Sequence, residues 1–234
     1  MRLRRRSGRL AAALVLAVVA GGVYGHGSSR APLPPAAGQS LDGAAPRPTP
    51  ADGALTVLQF NIHRGRPAEG GEDLAATAAC LEGAEVAGLN EVDGGGEADQ
   101  AALLGARLSL GHLFLPSEER WWRPHFGNGL LSALPSEGWQ RWPLPGPSGP
   151  GYRTRGVVRL DWEGRIVTLL VTHVTRGPDR ALQLALVADH FAALPAPKDD
   201  LATTLSASYQ SPKQASIAGV CFSCFDSHSS AAAL

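Results

Sequence analysis

Three short apolar runs in the sequence each end on polar residues of kinds that do chemistry. Leu55-Thr56-Val57-Leu58-Gln59-Phe60 leads into Asn61 and His63, Val86 to Leu89 leads into Asn90-Glu91-Val92-Asp93, and Arg165 to Val171 leads into Thr172-His173-Val174. Strand ends of a covered sheet present side chains to a cleft. A carboxylate such as Glu91 and a carboxamide such as Asn61, converging from neighbouring strands, supply the oxygen ligands that hard cations such as magnesium select. A histidine beside them, here His173, can donate to a phosphoryl oxygen and stabilise charge as it builds. Taken singly, each has a structural alternative. Asn61 can turn the chain, Glu91 can be a solvated loop acid, and His173 can be a satisfied strand-end imidazole.

The elements that must position these residues follow from pattern. The run from Leu55, bounded by Gly53 and Asn61, reads as a buried strand, and Val86 to Leu89 as a second one. Asp73 to Leu81 reads as a helix with Asp73 near its cap, and Asp99 to Leu108 has apolar residues at a helical period. Further apolar pieces lie at His112 to Leu115 and Leu130 to Leu134, followed by a Pro/Gly-rich loop from Pro143 to Gly151. Gly156 to Trp162 and Arg165 to Thr172, separated by Glu163-Gly164, predict a hairpin turning on the glycine. Asp179 to Leu194 predicts an amphipathic helix. Strands interleaved with helices indicate α/β or α+β, with sheets covered by helices. There is no internal repeat.

The chain has 234 residues, with 21 Lys+Arg against 21 Asp+Glu. Zero net charge excludes a uniformly basic nucleic-acid coat. At 44% hydrophobic and 18% charged, the composition is that of a globular chain long enough for one medium domain. Residues 1–25 place arginines at Arg2, Arg4, Arg5, Arg6 and Arg9 before an apolar run from Leu10 to Tyr24. That order predicts an export signal cleaved after Gly25, or else a retained N-terminal anchor. The chain is therefore expected to be exported, periplasmic or extracellular, or held at a membrane by this segment. Residues 26–53, rich in Pro, Ala and Gly, read as a linker. Residues 54–197 carry the folded domain. Residues 198–234 form an atypical tail, with eight serines from Leu201 onward and the only lysines, Lys198 and Lys213. That tail reads as a replaced or frameshifted terminus, or as a disordered end of a natural variant. Cys80, Cys221 and Cys224 are too few for a disulfide framework, and Cys221, Cys224 and His228 fall short of a closed zinc site. Trp121-Trp122-Arg123 could stack bases or face a surface or lipid.

Taken in order, Leu58-Gln59-Phe60-Asn61, Gly88-Leu89-Asn90-Glu91-Val92-Asp93, Gly127-Asn128-Gly129-Leu130-Leu131-Ser132, Arg155-Gly156-Val157-Val158 and Val171-Thr172-His173 resemble successive signatures of one family. That family is the endonuclease/exonuclease/phosphatase superfamily, and the resemblance runs from about Leu55 to Leu194. It implies a four-layered sandwich of two β-sheets flanked by helices and Mg2+-dependent (or Mn2+-dependent) hydrolysis of a phosphodiester, in a nucleic acid or a phospholipid head group. It further implies that Asn61 helps arrange metal and attacking water, Glu91 binds the cation, His173 contacts the scissile phosphate and Arg155 is an anion contact near the cleft. Asn128 is given a turn or packing role. No protein partner is implied.

The sequence departs from the family in two ways. Asn90 stands where the family has glutamine. The C-terminal third lacks both the apolar strand leading into Gly-Asp-Phe/Leu-Asn and the final Ser-Asp-His. Asp199-Asp200-Leu201-Ala202 and Asp226-Ser227-His228 match these only in part. Loss of a pair that activates water costs typically about 10²–10⁴-fold, and missing strands would leave sheet edges exposed. The fold is thus expected to be incomplete at its C-terminus and the activity weak or lost. The alternatives are a non-catalytic remnant of the fold and an extracytoplasmic module that binds a phosphate ligand.

Overall fold

Continuous apolar runs, buried on both faces in β5 and β10, set two covered sheets face to face. The computed structural model describes residues 14–23, 25, 31–43, 55–66, 71–120, 123–146, 152–194 and 201–206. One sheet contains β1 (Ala31–Pro32), β3 (Asp42–Gly43), β4 (Val57–Asn61), β5 (Val86–Asp93), β6 (Gly111–Arg120) and β7 (Arg123–Ser132). Its order is β1-β6-β7-β5-β4, with β3 also on β6. The other contains β2 (Ala36–Gly38), β8 (Ser136–Leu144), β9 (Arg153–Trp162), β10 (Arg165–Thr172) and β11 (Leu201–Ser206), in the order β11-β10-β9-β8-β2.

Leu113, Leu115 and Leu130 of the first sheet meet Val158, Leu160, Leu169 and Val171 of the second in the central core. Each such side chain, fully buried, contributes about 1.5–3 kcal/mol. The sheets approach closely at Gly156, where a Cβ would stand 2.5 Å from a methyl of Leu115.

Helices cover the outer faces. Helix α2 (Leu74–Leu81) and α3 (Gln100–Leu108) place Ala78, Leu81, Ala101 and Leu104 on Phe60, Ala87 and Leu89 of the first sheet. Asp73 and Asp99 cap them, each accepting a backbone N–H three residues on, from Ala76 and Ala102 at 2.9 Å. Helix α4 (Arg180–Ala192) packs Leu186 and Val187 against Val157 and Leu170 of the second sheet. The result is the four-layered α/β sandwich that the resemblance implies. The β9–β10 hairpin turns on Glu163 and Gly164, both at positive φ (56° and 78°), as a two-residue loop of this twist requires.

Near the N-terminus, residues 14–23 form helix α1, in which Leu14, Val15, Leu16, Val18, Val19 and Val23 are exposed. Among the described residues no helix is long and apolar enough to cross a membrane.

Two expectations are corrected. The linker reading of 26–53 does not hold for residues 31–43, which form β1 and β3 on β6 and β2 on β8. Proline is compatible with an edge strand, and the edges of β6 and β8 offer unpaired backbone groups. Buried Arg141 of β8 fastens the strap, donating to the carbonyls of Pro34 in the strap and Pro116 in β6. The tail reading of 198–234 does not hold for Leu201–Ser206, which adds to β10 in parallel with Thr172 opposite Ser206. Its backbone groups satisfy the β10 edge that would otherwise be open. Trp121, Trp122, Asp199, Asp200, Cys221, Cys224 and the Asp226-Ser227-His228 stretch lie outside the described residues.

Candidate functional site

The carboxyl ends of β4, β5 and β10 and the amino ends of β7 and β9 gather at one end of the sandwich. Pairing within the sheets requires this, because Asn61 lies opposite Asn90, Asp93 opposite Phe126, and Thr172 opposite Arg155. A polar spine joins the sheets just beneath. Gln59 donates to Asn90 (2.7 Å), Asn90 donates to Asn128 (2.9 Å) and to the Thr172 carbonyl (3.1 Å), and Asn128 donates to the Thr154 carbonyl (3.2 Å). All are buried, so each bond also averts the cost of an unpaired polar group. Asn128 thus packs within the spine, and Asn90 contributes a bonded amide to it.

Glu91 sits above that spine because β5 is irregular there. Its register against β7 slips between Asn90 and Val92, and Glu91 takes φ 58°. Ala87, Leu89 and Val92 all pack on the helix side of the sheet, so Glu91 is the inserted residue of a β-bulge. The bulge turns its carboxylate toward the other sheet, where Oε1 lies 3.9 Å from His173 Nε2. A non-glycine residue held at positive φ costs on the order of 1–3 kcal/mol, and such strain gathers at functional sites. His63 (φ 48°) and Arg64 (φ 59°) are in the same conformation after β4.

His173 is 6% exposed. Burial, aided by the charge of Arg153 and opposed by Glu91, lowers its pKa to about 4. The imidazole is therefore neutral at pH 7, with one N–H to give and one lone pair to receive. Its Nδ1 is buried without a hydrogen-bond partner. Asn61 is half-buried at the end of β4, and its Oδ1 accepts the His63 backbone N–H at 3.1 Å. The structure thus brings Glu91 and His173 into direct proximity, with Asn61 on the adjoining strand end and partly occupied in turning the chain.

Arg155 is placed elsewhere. Its Nη1 donates to the Leu186 carbonyl of α4 at 3.4 Å, and its guanidinium lies 6.0 Å from the Trp142 ring centroid, on the outer face of the second sheet. Arg153 takes the position by the cleft: it lies over the Phe126 ring at 5.7 Å, and its charge acts on His173. The two arginines share a face of β9 by period. Arg153, as the strand's first residue, can bend round the sheet end, which is the signal the sequence reading missed. Arg64 completes the mouth, 4.9 Å over the same ring and with Nη1 3.9 Å from Asp93. Asp93 also lies 4.0 Å from His125 and accepts the Gly95 N–H at 2.8 Å. Burial lowers the His125 pKa despite the Asp93 charge.

Among the described residues no group of three or more His, Cys, Asp or Glu side chains is arranged to hold a metal ion. Magnesium would not require such a group, because that ion keeps several waters and takes one or two carboxylates together with phosphate oxygens. Glu91 would offer one carboxylate, and Asn61 a carboxamide oxygen that also accepts the His63 N–H. Such a set suits an ion held jointly with a phosphate better than one held by protein alone.

No protein-family model matches the sequence, and no curated protein does. Among solved structures, an endonuclease/exonuclease/phosphatase family protein from Leptotrichia buccalis C-1013-b is similar, at 11% identity and TM-score 0.46 over 64% of this chain and 66% of that one. SmcL is similar at 16% identity and TM-score 0.47, over 65% and 62%. D. rerio TDP2, solved with a single-strand DNA product, is similar at 15% identity and TM-score 0.42, over 60% and 56%. The chain thus spans less than two thirds of the length of these structures, and the likeness is one of fold.

Proposed function

We propose that this domain is a divalent-cation-dependent phosphodiester hydrolase of low activity. The reading is carried by one observation: a strained bulge re-aims Glu91 across the sandwich to within 3.9 Å of a buried, neutral His173. Glu91 and Asn61 would hold Mg2+ or Mn2+ together with a phosphate oxygen. The ion, when bound, would polarise the phosphoryl group. With its proton on Nε2, His173 would donate to a phosphoryl oxygen as negative charge grows there, and its burial would strengthen that bond. The low activity is part of the proposal because the sequence departs from Gly-Asp-Phe/Leu-Asn and Ser-Asp-His, whose pair would handle the proton of the attacking water.

The same observation favours a second reading, in which the site binds a phosphate-bearing ligand without turnover. Hydrolysis of bis(p-nitrophenyl) phosphate separates them. The first reading expects MgCl2 or MnCl2 to raise hydrolysis above an EDTA control, and Glu91→Gln to abolish the increase without loss of fold. No increase in any metal, with phosphate still bound, would leave the second reading.

The arginines before the apolar run of residues 10–24 support export, or anchoring at a membrane, as part of this proposal. Fractionation of cells expressing the full chain tests it, since recovery in the cytoplasmic fraction would overturn it.

A further inference from the structure

We infer that Arg64 and Arg153, seated on one aromatic ring, form a second anion subsite beside Glu91 and His173, which takes the phosphate flanking the scissile one in a short single-stranded polynucleotide. The inference rests on the phosphodiesterase reading and narrows its substrate.

Arg64 is held ready by the chain around it. It lies in the 3-10 turn His63–Gly65, and its carbonyl accepts from Gln100 Nε2 at 2.8 Å. Gln100, 3% exposed at the start of α3, also accepts the Asp93 N–H at 3.0 Å, so one side chain fixes both the turn and the strand end. The guanidinium rests 4.9 Å above the Phe126 centroid, while its Nη1 is 3.9 Å from Asp93, beyond hydrogen-bond reach. The side chain keeps 34% exposure and is within reach of an incoming oxygen.

Arg153 supplies the second cation on the same ring. Burial lowers its pKa, with Glu91 and Glu118 opposing, yet a guanidinium remains charged. Its Nε is buried without a partner, and among the described residues no hydrogen bond or ion pair holds the group. Arg153 is half-buried, and its unpartnered Nε can donate to a ligand oxygen.

The chemistry of the pair selects the ligand. Two guanidiniums would repel the ammonium of a zwitterionic head group while attracting a chain of phosphates. A guanidinium lying on a ring also leaves its outer face open to stack a base, a mode used for single strands. Zero net charge over the chain argues against a long duplex footprint and for contact with a few phosphates.

The test is fluorescence anisotropy of the full chain with labelled hexathymidylate in EDTA, over about 50–200 mM NaCl. Two phosphate contacts predict a log–log salt slope near −1.4, at about −0.7 per contact on a single strand. Arg64→Ala should weaken binding about 5-fold near 0.1 M salt and reduce the slope by about 0.7. Arg153→Gln should act in the same direction, and Arg159→Ala, on the exposed part of β9, should change nothing. The inference is overturned if hexathymidylate does not bind, if neither arginine variant alters affinity or slope, or if phosphatidylinositol-bisphosphate vesicles bind and the oligonucleotide does not. Because EDTA removes hydrolysis from the readout, the two proposals fail separately. Arginine-dependent binding without metal-stimulated turnover removes the hydrolase and keeps the subsite. Turnover without arginine-dependent binding does the reverse.

Discussion

Glu91 stores strain where a regular strand would have none, and that strain can be measured. At φ 58° a side chain with a Cβ is disfavoured by on the order of 1–2 kcal/mol relative to glycine. Glu91→Gly should therefore raise stability by about 1 kcal/mol in urea titrations while removing metal-stimulated hydrolysis. A variant less stable than the parent would show that the carboxylate is fixed by contacts stronger than the strain it endures. His173 is the complementary case, since its backbone is ordinary and its burial is the unusual feature. His173→Gln keeps a donor of similar reach but gives up the imidazole, and should lower metal-stimulated hydrolysis about 10²–10³-fold, the loss typical of one preorganised donor. A drop in kcat/KM of less than tenfold would remove His173 from the reacting centre.

At the scale of elements, the strap of residues 31–43 binds the edges of β6 and β8 at once, and Arg141 is its fastener. Arg141→Ala leaves the Pro34 and Pro116 carbonyls without their charged donor. The expected cost is about 2–3 kcal/mol, with faster proteolysis within residues 31–43 read by mass spectrometry. Unchanged cleavage in that segment would mean that strand pairing alone holds it. The sequence could not announce this strap, because its composition is that of a linker and only tertiary edges give it a structure. Strand β8 was hidden for a related reason: Trp139 and Trp142 are separated by Gln140 and Arg141 and followed by Pro143, so no apolar run marks it. The long β6–β7 hairpin was legible only at its core end, since its far half carries charged and glycine residues that frame the site. What could be read was local. Asp73 and Asp99 cap their helices by side chains three residues from their targets, and Glu163-Gly164 states its own turn. Asn61, Glu91 and His173 were legible as strand-end residues. The bulge that re-aims Glu91, and the choice of Arg153 over Arg155, depend on how strands end against the opposite sheet.

For the molecule as a whole, buried His173 and half-buried His125 and His190 shape how stability responds to acid. His173 is lowered to about 4, and His125 and His190 are lowered too, with burial the leading cause in each. In the unfolded chain each titrates near 6.5. Between that value and its own folded value, each group binds more protons unfolded than folded, so stability rises with pH across the interval and is lost as pH falls. For His173 the window runs from about pH 6.5 down to about 4, and the loss across it is on the order of 3 kcal/mol. Below pH 4 this group contributes no further change. Carboxylate protonation and growing positive charge also act in that range, so the comparison that isolates His173 is between the parent chain and His173→Gln, both in EDTA. Urea midpoints for the two should converge as pH falls from 6.5 to 4, because only the parent bears the cost of charging a buried imidazole. Midpoints that stay a constant interval apart across the window would show that the folded protein accommodates the protonated ring, and the neutral donor assigned to the site would then be lost.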